Sequence, residues 1–306
     1  MIDSVIHQKI ECVLAAGDAL GEGPLWSARE GALYRVDIVG RRVHRFCPSE
    51  GAQTSWSLPA RPTALAERAA GGLLVAFDCG LAHFDPATGA FTPQIAVEPD
   101  RPGNRCNDGR CGPRGRFFIG TMDDGEKAST GGLHRYDPDG ALTRLLDGMG
   151  IANTLAWSPD GGTFYFADSL TAEIRAFPFD VDDGVLGPGR LFASTAAEGC
   201  APDGSAMDAD GCLWNAQWGG ARVVRYRPDG RVDRVVRLPV AHPTSCAFGG
   251  PRLDVLFVTS AAVGLKAGQR ARQPLAGGVF AFEPGVRGLP VPAFADAPAP
   301  SLPERS

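Results

Sequence analysis

Six polar residues recur at one place relative to the strand-like runs of this chain, and three of them could hold a cation. They are Glu22, Thr63, Asn107, Asn153, Asp203 and Ser245, within GEGPLW, RPTALA, RCNDGR, IANTLAW, APDGSAMD and PTSCAF. Each stands ten or eleven residues before a short run rich in β-formers, so one repeated unit would bring all six to a common structural position. Glu22, Asn153 and Asp203, distant in sequence, should then converge on one axis. Two carboxylates crowded into a narrow mouth repel and raise the pKa of at least one, unless a cation lies between them. A divalent ion balances both charges, and the Asn153 carbonyl oxygen adds a neutral ligand. An oxygen-only shell suits Ca²⁺, Mg²⁺ or Mn²⁺, with Zn²⁺ or Fe²⁺ as further choices. The competing reading is that these side chains only cap strand ends and solvate a water-filled channel. Thr63 and Ser245, weak ligands and frequent turn formers, fit that reading best.

A second cluster follows closely: Asn104, Arg105, Asn107, Asp108 and Arg110 in NRCNDGR, then GTMDDGE ending at Glu126. Arginine offers a planar fork of donors, asparagine both donors and acceptors, and carboxylates accept from hydroxyls. Such a set can grip a polyol. The alternative is a network of Asx turns with solvated charges. Other chemistries fail on spacing. There is no GxSxG, Ser205 lies outside any strand-to-helix turn pattern, and HExxH is absent. His44, His83 and His134 recur beside aromatic residues and read as repeat positions. The glycine pairs at Gly219 and Gly277 lack the lysine and following helix of a phosphate loop.

The elements that must position these groups are visible as a repeat. Strand-like runs begin at Leu33, Leu73, Phe117, Phe164, Leu213 and Leu256, each after a turn rich in Gly, Pro or Asp. A second run follows each one and ends in an aromatic: Phe46, Phe84, Tyr136, Phe177, Tyr226 and Phe282. No long stretch sustains helical periodicity. Units of about 40 to 55 residues are too thin to bury their own faces, and six of them predict an all-β, six-bladed β-propeller. A β-sandwich is the rival, but would not repeat sixfold. The whole of 1–306 reads as one such domain, with Pro290–Ser306 as an edge strand or a loose end.

The 306 residues are 44% apolar, enough to build this core without disulfides or structural metal. The net charge of −5, with no basic stripe, argues against nucleic acid. No run reaches the length needed to span a bilayer and the start, MIDSVIHQKIE, lacks a signal-type segment, so a cytoplasmic location without membrane contact is expected. The eight cysteines contain no CxxC pair and read as reduced, mostly buried side chains. Oligomeric state has no signal here.

At these residues the sequence resembles the family of senescence marker protein (regucalcin), gluconolactonase and luciferin-regenerating enzyme, particularly its bacterial sugar lactonases. LGEGPLW, NRCNDGR with RFFIGTMDDGE, IANTLAWSPDGGTFYFADS and PDGSAMDADGCLWNAQWGG carry the resemblance, which spans nearly the whole chain. It implies a six-bladed propeller holding one divalent cation through Glu22, Asn153 and Asp203. It further implies that Arg105, Asn107 and Glu126 contact substrate and that Asp203 is the proton acceptor and donor. Cys106 stands where a large residue is common, and Thr154 where glycine is frequent. The expected activity is metal-assisted hydrolysis of a gluconolactone-, xylonolactone- or arabinonolactone-like ring to the aldonic acid. Rivals are a calcium-binding regulatory propeller without catalysis, a propeller interaction module, and a metal-dependent esterase or organophosphate hydrolase at the same site.

Overall fold

In a computed structural model, which describes residues 9–296, the strand-like runs form six antiparallel sheets arranged as a β-propeller, five of four strands and the fourth blade of five. Runs such as LYRVD and FYFAD become strands because β-branched and aromatic side chains pack on both faces of a buried sheet. The innermost strands are Gly21–Ser27, Pro62–Glu67, Asn104–Cys111, Ala152–Trp157, Ala201–Met207 and Pro243–Gly249, in blades one to six. Each is followed by the strand that the sequence pattern marks: Ala32–Asp37, Leu73–Phe77, Phe117–Asp123, Thr163–Asp168, Leu213–Trp218 and Val255–Ser260.

The sixth blade draws its outer strand from the other end of the chain. Glu11–Leu14 pairs antiparallel with Val279–Phe282, with Glu11 opposite Ala281 and Cys12 opposite Phe280. The ring is thereby closed by hydrogen bonds and the sixth blade's edge is covered. The sequence reading assigns no strand there, because four residues carry too short a pattern.

Burial explains why six blades are needed. The apolar side chains fall into six clusters, each shared between two neighbouring blades. Trp214, Ala216 and Val223 of the fifth blade pack with Phe248, Val258 and Phe280 of the sixth, for example. A single blade exposes both faces, whereas the ring hides them.

Residues 290–296 form neither an edge strand nor a loose end. Phe294 is buried, stacks on Tyr136 at 5.2 Å between ring centroids, and makes one parallel bridge to Arg68. Its backbone N–H donates to Glu67 O, and Ala295 N–H to Gly115 O. An aromatic anchor fixes this stretch where Pro and Ala alone suggest slackness; residues 297–306 lie outside the described residues. The only helix longer than one turn among the described residues is Ala267–Arg272, and none is long and apolar enough to cross a membrane.

Candidate functional site

All six inner strands carry a β-bulge at the same place, between Glu22 and Leu25, Pro62 and Ala64, Cys106 and Gly109, Asn153 and Ala156, Pro202 and Ser205, and Pro243 and Cys246. A bulge bends its strand and re-aims a side chain, a device common beside active sites. Past the bulge, pairing resumes, with Leu25 opposite Tyr34, Ala66 opposite Leu74, Arg110 opposite Phe118, Ala156 opposite Tyr165, Ala206 opposite Trp214 and Ala247 opposite Phe257. Counting back three from each gives Glu22, Thr63, Asn107, Asn153, Asp203 and Thr244. Five positions agree with the sequence spacing. In the sixth blade the equivalent is Thr244, one residue before Ser245, because the hairpin there is longer: Phe248 pairs with Leu256, eight residues on, whereas the matching pairs of the other blades lie six or seven residues apart. The Thr244 hydroxyl is used structurally, donating to Gly21 O at 2.5 Å.

The groups of this ring meet. Asn107 Nδ2 donates to Asn153 Oδ1 at 3.1 Å and to Ala152 O at 2.9 Å. Asn153 Nδ2 donates to Ser169 Oγ at 2.8 Å, and that hydroxyl donates to Pro202 O at 2.6 Å, beside Asp203. Glu22 Oε2 accepts the Gly23 N–H at 2.8 Å. Asn153 and Asp203 are buried and Glu22 is half-buried. Burial pushes the Glu22 carboxyl up to about 8, with the charge of Asp108 adding to it and the Gly23 N–H and Arg105 opposing. Asp203 rises well above its ordinary range, first by burial and then by the charges of Glu22 and Asp108. The charge of Asp108 thus bears on both Glu22 and Asp203, and that of Glu22 on Asp203.

Asp108 has no place in the six-residue ring, since it lies one residue beyond it. It is buried, and burial raises its carboxyl against the pull of Arg110 and the backbone N–H groups of Gly109, Leu155 and Thr154. Thr154 is also informative. It adopts φ 55°, a left-handed conformation that is an outlier for a β-branched residue and explains why glycine suits this position. Its hydroxyl donates to the carbonyl of Asp203 and lies 2.9 Å from Ser205 Oγ, while Asn215 Nδ2 donates to the same Asp203 carbonyl at 2.9 Å. Blades four and five are locked together beneath two of the candidate ligands.

The loops entering the ligand strands are fixed by a recurring aspartate that the sequence reading passes over. Asp37 accepts N–H groups of Ala19, Leu20 and Gly40, and Asp168 those of Gly150, Ile151 and Leu170. The signal was available, as RVD, AFD and FAD at the ends of three equivalent strands.

Gly204 shows how tightly Asp203 is held. A Cβ there would lie 2.0 Å from Ser245 Oγ and 3.0 Å from Ser245 Cα. Gly204→Ala should therefore cost about 1–3 kcal/mol through overpacking and weaken divalent-ion binding by shifting Asp203. Adding Ser245→Gly should restore both, as read by thermal unfolding and calorimetric titration; a Gly204→Ala variant indistinguishable from wild type would contradict this packing.

At the rim, Arg105 is buried and its Nη1 donates to Cys106 O at 2.9 Å and to Asn107 Oδ1 at 2.8 Å. Its Nε lies 3.0 Å from Asp124 Oδ1. Glu126 is exposed, in a turn at φ 56°; its charge favours that of Arg105, but the direct carboxylate contact of Arg105 is Asp124. The histidines keep their repeat positions: His44 pairs with Ser55 and faces Asp18, and His134 faces Glu98. All eight cysteines are free, six of them buried.

The residues at the hub suit a hard divalent ion. No three His, Cys, Asp or Glu side chains among the described residues form a metal group by themselves. The candidate set is two carboxylates and the amide oxygen of Asn153, whose nitrogen is already occupied by Ser169. Burial and like charge raise both carboxyl groups, the direction that a bound cation would reverse.

Residues 20–262 match the family model described as "SMP-30/Gluconolactonase/LRE-like region". The chain is 42% identical over 300 residues to an L-arabinolactonase of Azospirillum brasilense, covering 96% of this chain and 98% of that protein. It is 36% identical over 294 residues to a regucalcin of Xenopus laevis, covering 94% and 98%. Among solved structures, a regucalcin from Agrobacterium tumefaciens described as a calcium-binding protein superposes with a TM-score of 0.90 at 33% identity, covering 94% of this chain and 97% of that one.

Proposed function

The chain belongs to the SMP-30/gluconolactonase/LRE-like family, and from that premise we propose that it is a divalent-metal-dependent sugar lactonase that opens an aldonolactone to the aldonic acid. The observation that carries this reading is the ring of equivalent positions at the inner-strand bulges, which gives Glu22, Asn153 and Asp203 the same place in three blades; there the charge of Glu22 raises the Asp203 carboxyl, and the amide oxygen of Asn153 is fixed by Asn107. The L-arabinolactonase relative supports the substrate class.

Glu22, Asn153 and Asp203 would hold the ion, which when bound supplies Lewis-acid polarisation of the lactone carbonyl and charge for the developing oxyanion, worth several kcal/mol. Asp203 takes a proton from the attacking water as the oxygen bonds to the carbonyl carbon. The ring C–O bond then breaks, and the proton passes from Asp203 to the departing ring oxygen. Arg105 and Asn107 bind ring hydroxyls and orient the carbonyl toward the hub. Lactones hydrolyse readily without a catalyst, so no covalent nucleophile is required.

A panel of pentono- and hexonolactones, followed by acid release with Ca²⁺, Mg²⁺, Mn²⁺ and Zn²⁺ in turn, tests the proposal. At least one lactone should be opened well above the buffer rate, with loss on chelation and recovery on adding ion. Tight ion binding with no rate above buffer on any lactone would favour the calcium-binding reading that the Agrobacterium protein's description carries.

A further inference from the structure

Asp124 lies between two guanidinium groups from different blades. Arg61, at the entry to the second blade's inner strand, donates from Nη1 and Nη2 to the two Asp124 oxygens at 3.1 and 3.0 Å. Arg61 is itself fixed by Asp78, which accepts from its Nε and, at 3.0 Å, from its backbone N–H. Arg105 Nε lies 3.0 Å from Asp124 Oδ1, the same oxygen that accepts from Arg61 Nη1. The hydrogen bond with Arg61 is the main influence holding the Asp124 carboxyl below its ordinary range, so it stays ionised in this bridge.

The consequence falls on Arg105. With Nε in ion-pair contact with Asp124 and Nη1 donating to Cys106 O and Asn107 Oδ1, its guanidinium is held from two sides. No hydrogen bond from Nη2 is present among the described residues, although the side chain is only 9% exposed. A buried guanidinium with one nitrogen left over is a preformed donor for an oxygen-rich ligand. Asn107 passes the order inward, through its Nδ2 contact with Asn153.

We propose that Arg61 and Asp124 are positioning residues, a clamp between the second and third blades that sets the Arg105 fork so that Nη2 receives a substrate oxygen. The identity of that oxygen, a lactone hydroxyl, rests on the lactonase reading; the clamp does not.

Two measurements on the intact protein decide it. The first is solvent exchange of the Arg105 Nε–H, followed by NMR and assigned with Arg105→Lys. It should be slow in wild type and at least about tenfold faster in Arg61→Met and in Asp124→Asn, since each removes a charge-assisted hydrogen bond from the bridge. The second is steady-state kinetics on the best lactone. KM should rise about tenfold in either variant while kcat stays within about twofold, the mark of lost binding common to ground and transition states. The double variant should be no worse than the worse single one, because both residues act through one contact. Arg61→Lys keeps the charge but cannot fork between Asp78 and Asp124, so it should fall between wild type and Arg61→Met, and it guards against misfolding of the latter.

Unchanged exchange in both variants would overturn the clamp whatever the activity. Faster exchange with KM unchanged would overturn its role in recognition. A wild-type protein that opens no lactone would remove the lactonase reading, and the exchange result would still decide the clamp.

Discussion

Asp203→Ala should lower kcat for lactone opening by about three orders of magnitude, the range expected when a positioned general base is lost. Asn153→Ala should cost about ten- to a hundredfold, as for a neutral group that supports a metal. The difference has a structural origin. Asp203 brings a full negative charge to a hub where burial and two neighbouring carboxyl groups already raise its carboxyl, and in the proposed reaction it is the group that accepts the proton of water. Asn153 brings only an amide oxygen, held by Ser169 and Asn107. Asp203→Asn separates the two roles, since it restores a ligand oxygen without a base. Ion binding should partly return in that variant while kcat stays low. Small and equal losses in Asp203→Ala and Asn153→Ala, measured at saturating ion, would refute the assignment.

The second large effect is the response of the metal-free protein to pH. Burial raises the Glu22 carboxyl from 4.5 to about 8, and Asp203 moves in the same direction. Below the unfolded value both states are protonated and the folded state carries no penalty. Between about 4.5 and 8 the unfolded chain ionises freely and the folded hub does not, so stability falls as pH rises and levels off above the folded value. The loss should be of the order of a few kcal/mol. A divalent ion needs the ionised form, so its affinity should climb about tenfold per pH unit for each proton displaced, up to about pH 8. Thermal unfolding from pH 5 to 9, with and without ion, and proton release measured calorimetrically in two buffers, check this. A pH-independent melting temperature in the metal-free protein, or binding that releases no proton at pH 7, would contradict it.

The propeller was legible because its period is written in strands and turns, and each repeat carries its own aromatic terminus. The ring of polar residues was legible for the same reason, down to a single position. What shifted the sixth member to Thr244 is a longer hairpin between the first two strands of that blade, which a fixed spacing from an apolar residue cannot register. The closing strand Glu11–Leu14 escaped because its partner lies at the far end of the chain. Asp108 was read only as one of a polyol-gripping cluster, because its influence on Glu22 and Asp203 depends on burial one step beyond the ring, and Asp124 escaped because the acidic residue facing Arg105 is chosen by the turn after Asp123. That turn is held by Asp123 accepting the N–H groups of Gly125, Lys127 and Ala128. It leaves Glu126, the family-implied substrate contact, exposed and Asp124 against the guanidinium. Thr154 stood out in the sequence only as a departure from glycine; its positive φ and its bond to Asp203 required coordinates.

Anomalous diffraction from crystals grown with Ca²⁺ or Mn²⁺ tests the central claim most directly. One strong peak should appear at the hub, with a carboxylate oxygen of Glu22, Oδ1 of Asn153 and a carboxylate oxygen of Asp203 all in direct coordination, at about 2.3–2.6 Å for calcium. A peak away from these residues, or a hub at which the three oxygens are too far apart to share one ion, would contradict it.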